Sequence, residues 1–194
     1  MDSLEEKILL LQKKGGKNSV SIEEILKILS EKGTFLILVF LSLPFCQPLM
    51  IPGLSMPFGL AIFLIGFRIS FDKNLWLPKF INQKTIEPAS LQKITSSLTW
   101  TLKKIKYFSK PRLLFLSQNK STHKLHHLSI ALLGFLLAIP LPIPFSNLTT
   151  AWALFLISFG VLEDDGIFIL IGYLFLLITL VFFLVIALSI KLFV

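Results

Sequence analysis

Three long stretches of the chain carry no charged residue. They cover residues 34–67, 128–162 and 167–190, which are 34, 35 and 24 residues long. About 20 apolar residues in a helix cross a hydrocarbon core of roughly 30 Å. The third stretch contains no proline, so it predicts a plain transmembrane helix. This pattern predicts an all-α integral membrane protein and excludes an ordinary water-soluble domain.

Proline residues interrupt the first two stretches. A proline inside a helix lacks the backbone donor and clashes with the preceding turn. We therefore expect each of these stretches to break and to form a re-entrant helical hairpin. The alternative is a set of continuous helices with kinks, which membrane helices tolerate. In the second stretch the two halves, residues 128–139 and 147–162, are longer, so a strained pair of helices is a further alternative there. Seven of the ten prolines lie here: Pro44, Pro48, Pro52, Pro57, Pro140, Pro142 and Pro144.

The two interrupted stretches resemble each other. Residues 48–67 match residues 140–159 without a gap at nine of 20 positions, including a P-x-x-I-P segment at each interruption. A duplicated unit with a broken helix is common in transporters, whose binding site lies where the two breaks meet. The pattern thus predicts an internal repeat. Chance similarity between two proline-rich apolar segments is the alternative.

A helix-start signal follows each interruption. Gly53 and Ser55 offer a flexible turn and a capping oxygen after the first, and Ser146 and Asn147 offer capping oxygens after the second. Helix N-termini bind anions, because their first N–H groups have no partner inside the helix. We therefore predict that Gly53, Ser55 and Asn147 line a site for an anionic group such as phosphate.

Charge placement sets the expected orientation. The net charge is +8, and residues 68–124 carry twelve Lys or Arg against two acids. Cytoplasmic loops accumulate Lys and Arg, so this segment and the N-terminus are expected inside, with the C-terminus outside. The expected organisation is N-terminal cytoplasmic helices (1–33), a first broken hairpin (34–67), a basic interfacial segment (68–127), a second broken hairpin (128–162), and an acidic loop with the transmembrane helix (163–194).

The two charged segments also contain helical patterns. In the N-terminal one we expect a helix over residues 4–11, a linker over 13–18, and a second helix that begins at a Ser21/Glu24 capping box and ends at Gly33. The basic segment predicts an amphipathic helix lying on anionic headgroups. Its apolar positions at helical spacing are Leu91, Ile94, Leu98, Leu102 and Ile105.

Three charged residues at the membrane boundaries complete the predicted binding set. Arg68 and Arg112 suit a lipid phosphate, whose oxygens match a guanidinium group, although ordinary anchoring on the cytoplasmic side explains them equally well. Asp165 follows Glu163 and Asp164 between two uncharged stretches. It is a candidate for proton coupling, and the simpler interpretation is that this acidic trio ends a helix in solvent.

The remaining polar residues point to no catalytic chemistry. His123, His126 and His127 share one helical face, but no acid or thiol lies near them in sequence, which favours polar interfacial residues over metal ligands. The single cysteine, Cys46, allows no disulfide within the chain. No phosphate-binding loop, hydrolase motif or zinc motif is found. We expect no catalytic residue, no metal, no cofactor and no nucleic-acid partner.

Several short motifs follow one another along the chain. They are Leu43-Pro44-Phe45, Ile51-Pro52-Gly53-Leu54-Ser55 with Gly59, Trp76-Leu77-Pro78, Pro111-Arg112-Leu113, Pro140-Leu141-Pro142 with Asn147, and Asp165-Gly166. In this order they resemble the bacterial ExoD family. The resemblance implies an inner-membrane protein linked to exopolysaccharide production.

Two functional hypotheses follow. The first is a small transporter or flippase-like carrier of an anionic lipid or lipid-linked intermediate, with membrane lipids such as a polyprenyl phosphate as partners. A chain this short is expected to form a homo-oligomer to enclose a path. The alternative is a non-catalytic scaffold that holds polysaccharide-assembly proteins through residues 91–106. An enzyme would need a nucleophile and a base in contact, which this sequence does not indicate.

Overall fold

The computed structural model describes residues 4–15, 19–47, 53–71, 85–93, 95–96, 99, 110–139 and 145–193. The chain forms two compact units. One contains Met1–Thr34 and Leu75–Lys110, and the other contains Phe35–Asn74 and Pro111–Val194. The boundary between Thr34 and Phe35 falls inside a helix.

The described part of the first unit contains helices and one short strand pair. Its elements are α1 (Leu4–Gly15), β1 (Val20–Ser21), the first part of α2 (Ile22–Ser42) and β2 (Thr85–Ile86). The strands are antiparallel, with Val20 opposite Ile86. Residues 88–93 are helical, with Leu91 buried and Lys93 exposed, as the amphipathic pattern predicts. Most of that predicted helix, including Ile94, Leu98, Leu102 and Ile105, lies outside the described residues.

The predicted start of α2 is confirmed and its predicted end is wrong. The Ser21 hydroxyl accepts a hydrogen bond from the Glu24 backbone N–H at 3.2 Å, as a capping box requires. The helix then passes through Gly33 and ends at Ser42. A glycine inside a helix costs only about 1 kcal/mol relative to alanine. The apolar sequence that follows continues the helix, so one glycine does not stop it.

The second unit consists of helices. They are the last part of α2, a 3-10 turn (Leu43–Phe45), α3 (Ser55–Ser70), α4 (Leu114–Gln118), α5 (Lys120–Ala138), α6 (Ser146–Leu162) and α7 (Gly166–Phe193). Helices end and begin on either side of both proline-rich interruptions, as the prolines predict. Residues 48–52 and 140–144 lie outside the described part of the chain. The re-entrant hairpins and the internal repeat stay predictions.

Close backbone packing joins α3 to α5. A Cβ atom added at Gly59 would lie 2.4 Å from the Ala138 backbone nitrogen, and one at Gly66 would lie 2.6 Å from that of Ala131. From the other side, a Cβ at Gly134 would lie 2.4 Å from the Phe63 nitrogen. The partners run in opposite directions, so α3 and α5 are antiparallel. Glycine and alanine allow this approach, which is typical of membrane helix pairs.

A second antiparallel pair is formed by α6 and α7. A Cβ at Gly160 would lie 2.7 Å from the Ile169 nitrogen, and one at Gly172 would lie 2.8 Å from that of Ile157. The last turn of α6 therefore lies beside the first turn of α7. Further along α7, Tyr173 bonds His126 in the first half of α5. The Gly166 N–H at the start of α7 also bonds the Arg112 carbonyl, shortly before α4 and α5. These two contacts make α5 and α7 parallel, so α5 and α6 are also antiparallel.

This arrangement gives the second unit two distinct ends. The C-terminal end of α5 lies together with the N-terminal ends of α3 and α6. This side contains Ser55 and Asn147, and we name it the interruption end. The opposite side contains the turn between α6 and α7, with Asp165, and the start of α5. We name it the turn end.

Membrane-facing character is strongest in α7. Its segment Gly166–Ser189 is the one helix in the described part of the chain that is long and apolar enough to cross a membrane. The helix predicted over residues 167–190 is thus present, and its length and composition suffice to cross a membrane. The shorter α3 and α6 have 16 and 17 residues, or about 25 Å at 1.5 Å per residue. Apolar side chains also cover the outer faces of α3 and α5, namely Leu60, Leu64, Phe67, Leu128, Leu132 and Phe135.

Candidate functional site

The structure divides the six predicted binding residues between the two ends of the second unit. Gly53, Ser55 and Asn147 lie at the interruption end. Arg68, Arg112 and Asp165 belong to the turn end. Ser55 and Arg68 lie near opposite ends of α3, so about 20 Å separates them at the rise of a helix. The six residues do not form one pocket.

At the start of α3, the expected cap is absent. The N-cap residue is Leu54, which makes no side-chain capping bond, and Ser55 is the first residue inside the helix. The prediction that Ser55 caps this helix is therefore wrong. Ser55 is buried, whereas Gly53 is exposed and has a φ of 80° with no atom within 4 Å of an added Cβ. Gly53, two residues before α3, is thus exposed and has open space where a side chain would lie.

The start of α6 is similar. Its N-cap residue is Phe145, in the left-handed region at a φ of 71°, and makes no side-chain capping bond. Asn147 lies in the first turn of the helix rather than at the cap position, so it does not cap α6 as predicted. A left-handed conformation costs a non-glycine residue about 1–2 kcal/mol. Such outliers persist where the surrounding structure holds them, often at functional sites.

Neither helix start carries negative charge. The first turns of α3 and α6 contain no acidic residue. The first N–H groups of a helix have no acceptor within the helix and carry a partial positive charge. Since Leu54 and Phe145 provide no side-chain acceptor, two electropositive helix starts lie at the same end of the unit.

Asp165 at the turn end has a structural role. It is 1% exposed, and its carboxylate accepts a hydrogen bond from the Ile167 backbone N–H at 3.1 Å. Its own N–H donates to the Gly160 carbonyl at 2.8 Å. Asp165 therefore caps α7 and fixes the turn after α6. The interpretation of an acidic trio in solvent is wrong for Asp165, because packing of α6 on α7 buries it.

The two arginines contribute in different ways. The Arg112 carbonyl accepts a hydrogen bond from the Gly166 N–H at 2.7 Å, while its side chain is exposed. A Cβ at Gly166 would lie 2.6 Å from that of Leu113, so only glycine allows this contact. Arg68 lies in the last turn of α3, where a positive charge favours the helix end. Both guanidinium groups therefore belong to the turn end.

A buried polar network lies beside these residues. His126 is 1% exposed, with Nε2 placed 2.8 Å from the Leu116 carbonyl and Nδ1 placed 2.7 Å from the Tyr173 hydroxyl. A carbonyl only accepts, so Nε2 donates and neutral Nδ1 accepts from Tyr173. The Tyr173 hydroxyl also shares a hydrogen bond with Ser129. The prediction of an interfacial histidine is thus wrong for His126.

Sequence reasoning missed Tyr173 altogether. It lies inside an uncharged stretch and is 47 residues from His126, so no local spacing links them. A polar ring within an apolar helix was the one available signal.

Comparison with known proteins identifies the family. The family model described as "Exopolysaccharide synthesis, ExoD" matches residues 4–185. The chain belongs to the ExoD family. The protein named ExoD in Rhizobium meliloti (strain 1021) is 35% identical over 167 residues, which cover 86% of this chain and 70% of that relative. An uncharacterized Synechocystis protein is 33% identical over 175 residues, covering 85% and 81% of the two chains. No solved structure matches.

The match places this ExoD-family chain in exopolysaccharide synthesis, as the resemblance implies. It spans both units and most of α7. The ExoD description names a synthesis and no catalytic activity.

Proposed function

We propose that this ExoD-family protein lies in the bacterial inner membrane and carries an anionic, lipid-linked intermediate of exopolysaccharide synthesis, such as a polyprenyl phosphate, between leaflets. The observation that supports this most directly is the placement of two helix starts, α3 and α6, at one end without a side-chain cap or an acid.

The phosphate group is the part of the ligand that this end recognises. Each helix start is equivalent to roughly half a positive charge, and backbone N–H groups are natural phosphate donors. Gly53 has no side chain and open space around it, so a phosphate oxygen can approach the backbone there. Asn147, in the first turn of α6, adds a polar side chain at the same end.

Arg112 and Arg68 attract the ligand before its phosphate group is bound at the interruption end. Arg112 is exposed at the turn end, where it attracts the anionic headgroup to the cytoplasmic surface, with Arg68 on the last turn of α3. Lysine and arginine near a membrane are each worth about 1 kcal/mol of attraction to anionic lipid. The capping bond of Asp165 gives that residue a structural role, and proton coupling is not part of the proposal. A second copy of the chain encloses the lipid path.

Lipid movement in vesicles tests the proposal. The full chain is reconstituted into phosphatidylcholine vesicles containing a fluorescent polyprenyl phosphate, and the outer-leaflet signal is removed with a membrane-impermeant quencher. Wild-type protein is expected to make the inner-leaflet probe accessible. The Asn147→Leu substitution should slow this movement of the probe between leaflets at least tenfold, while the protein still inserts into the vesicle membrane.

A charge substitution separates binding from folding. Asn147→Asp is nearly isosteric and should stabilise the start of α6, because acids favour helix N-termini. It should nevertheless slow lipid movement at least tenfold through repulsion of phosphate. The matched control is Asn119→Asp, because Asn119 caps α5 at the turn end with a bond to Ser121. The carrier proposal would be overturned if vesicles with wild-type protein moved the lipid probe no faster than protein-free vesicles. It would also be overturned if Asn147→Asp moved the probe as fast as wild type. Capture of polysaccharide-assembly proteins by residues 91–106, without lipid movement, would favour the scaffold.

A further inference from the structure

Two histidines on α5 form a pair at the turn end. His123 and His127 are one helical turn apart, and their ring centroids are separated by 6.0 Å. A ring nitrogen of each lies within 4.8 Å of one of the other. His127 is buried and His123 is half-buried, so the pair has one protected and one accessible member.

The third histidine is engaged elsewhere. Both ring nitrogens of His126 are occupied, one by the Leu116 carbonyl and one by the Tyr173 hydroxyl. His126 therefore anchors α5 to α7, and the i, i+4 pair remains as a separate feature of the helix.

We propose that His123 and His127 bind a divalent transition metal of the zinc class. Imidazole nitrogen is a preferred ligand of such ions. With Zn–N bonds of 2.0–2.1 Å, tetrahedral zinc holds two nitrogens about 3.4 Å apart, so metal binding would draw the two rings, whose nitrogens lie within 4.8 Å of each other, closer together. Water or a carboxylate oxygen completes the coordination.

A neighbouring backbone group supports this role. One ring nitrogen of His123, Nε2, bonds the Ser117 carbonyl of α4. A carbonyl accepts only from a protonated nitrogen, so this bond makes Nε2 a donor, and in the proposed complex the metal would be bound by Nδ1 of His123. Metal-bound histidines commonly use their second nitrogen in this way, because it fixes the tautomer and orients the ring. The metal would thus also hold α4 against α5.

The site is independent of the proposed carrier function, because it lies at the opposite end of the unit from Asn147. Its test is therefore metal binding, measured on the full chain in detergent after treatment with a chelator. Titration calorimetry with Zn²⁺ should show one ion bound per chain, and Co²⁺ should give a visible spectrum typical of tetrahedral coordination. His123→Ala and His127→Ala should each weaken Zn²⁺ binding at least tenfold.

Two further variants keep the test decisive. Thr122→Ala changes the same turn of α5 and should bind Zn²⁺ as wild type does. His123→Cys replaces the accessible ligand by a thiolate, so it should retain Zn²⁺ and add a sulfur-to-metal band to the Co²⁺ spectrum. Circular dichroism confirms that each variant is folded. Absence of Zn²⁺ binding in wild type, or equal binding by folded His123→Ala, would overturn the site.

Discussion

The Tyr173 hydroxyl on α7 donates to Nδ1 of His126 on α5 across 2.7 Å, and this bond joins two helices that are distant in the chain. It fixes where the first half of α5 lies relative to α7. Because α7 also packs on α6, the same bond orients three helices at the turn end.

Replacing Tyr173 by phenylalanine should destabilise the protein. The substitution removes the donor and leaves a buried ring nitrogen without its partner, which costs about 1–3 kcal/mol. Thermal unfolding in detergent should show a lower midpoint. Ser189→Ala is the matched control on α7, since its exposed hydroxyl bonds the Val185 carbonyl within its own helix. An equal midpoint for Tyr173→Phe and wild type would contradict the role of the bond.

Gly134 should tolerate no side chain. A Cβ there would meet the Phe63 backbone nitrogen at 2.4 Å, so Gly134→Val should separate α3 from α5. Overpacking of this kind costs about 1–3 kcal/mol, and a lower unfolding midpoint is expected. Gly53→Ala is the comparison, because its added Cβ meets no atom and only the left-handed backbone opposes it. If Gly53→Ala lowered the unfolding midpoint more than Gly134→Val, the close contact between α3 and α5 at Gly134 would be refuted.

Asp165 should act through capping. Asp165→Ala removes the acceptor for the Ile167 N–H and should cost about 1 kcal/mol, the usual value of a cap. Asp165→Asn keeps an oxygen there and should retain most of that stability. In the vesicle assay, Asp165→Asn is expected to move lipid within twofold of wild type. Loss of lipid movement in a stable Asp165→Asn protein would restore proton coupling as its role.

Cys46 should react slowly with thiol reagents. It follows the 3-10 turn, outside the span in α7, and burial raises the pKa of its thiol to about 11. The thiolate, not the thiol, is the nucleophile, so iodoacetamide labelling should still accelerate about tenfold per pH unit between pH 9 and pH 10, where a thiol with the ordinary pKa of 9.0 is levelling off. The same chain in denaturant provides the unburied control. Levelling off by pH 10 in the folded protein, as in denaturant, would show that the thiol is not buried.

Local signals predicted a good part of the fold. The Ser21/Glu24 pair marks the start of α2, because a capping box satisfies backbone donors within four residues. The proline clusters mark where α2 and α5 end, because proline removes helical hydrogen bonds whatever surrounds it. The prediction that α2 ends at Gly33 was wrong for the opposite reason. Its local cost is small, and the apolar residues after it decide that the helix continues.

The candidate site was less predictable, because its layout depends on helix pairing. The motifs identified Gly53, Asn147 and Asp165 individually. Their separation into two ends follows from the antiparallel contacts of Gly134 with α3 and of Gly160 with α7. Such contacts join residues far apart in sequence, so no spacing reveals them. The Tyr173 bond to His126 was missed for the same reason.

The division of α2 between the two units also bears on how the protein can be handled. Each unit is assembled from two separate pieces of chain, and the boundary at Thr34 cuts through the middle of a helix. A fragment ending there would expose unsatisfied carbonyl groups and lose the packing of the missing turns. Truncated forms are therefore poor material for biochemistry, and expression of the intact polypeptide is the sound choice.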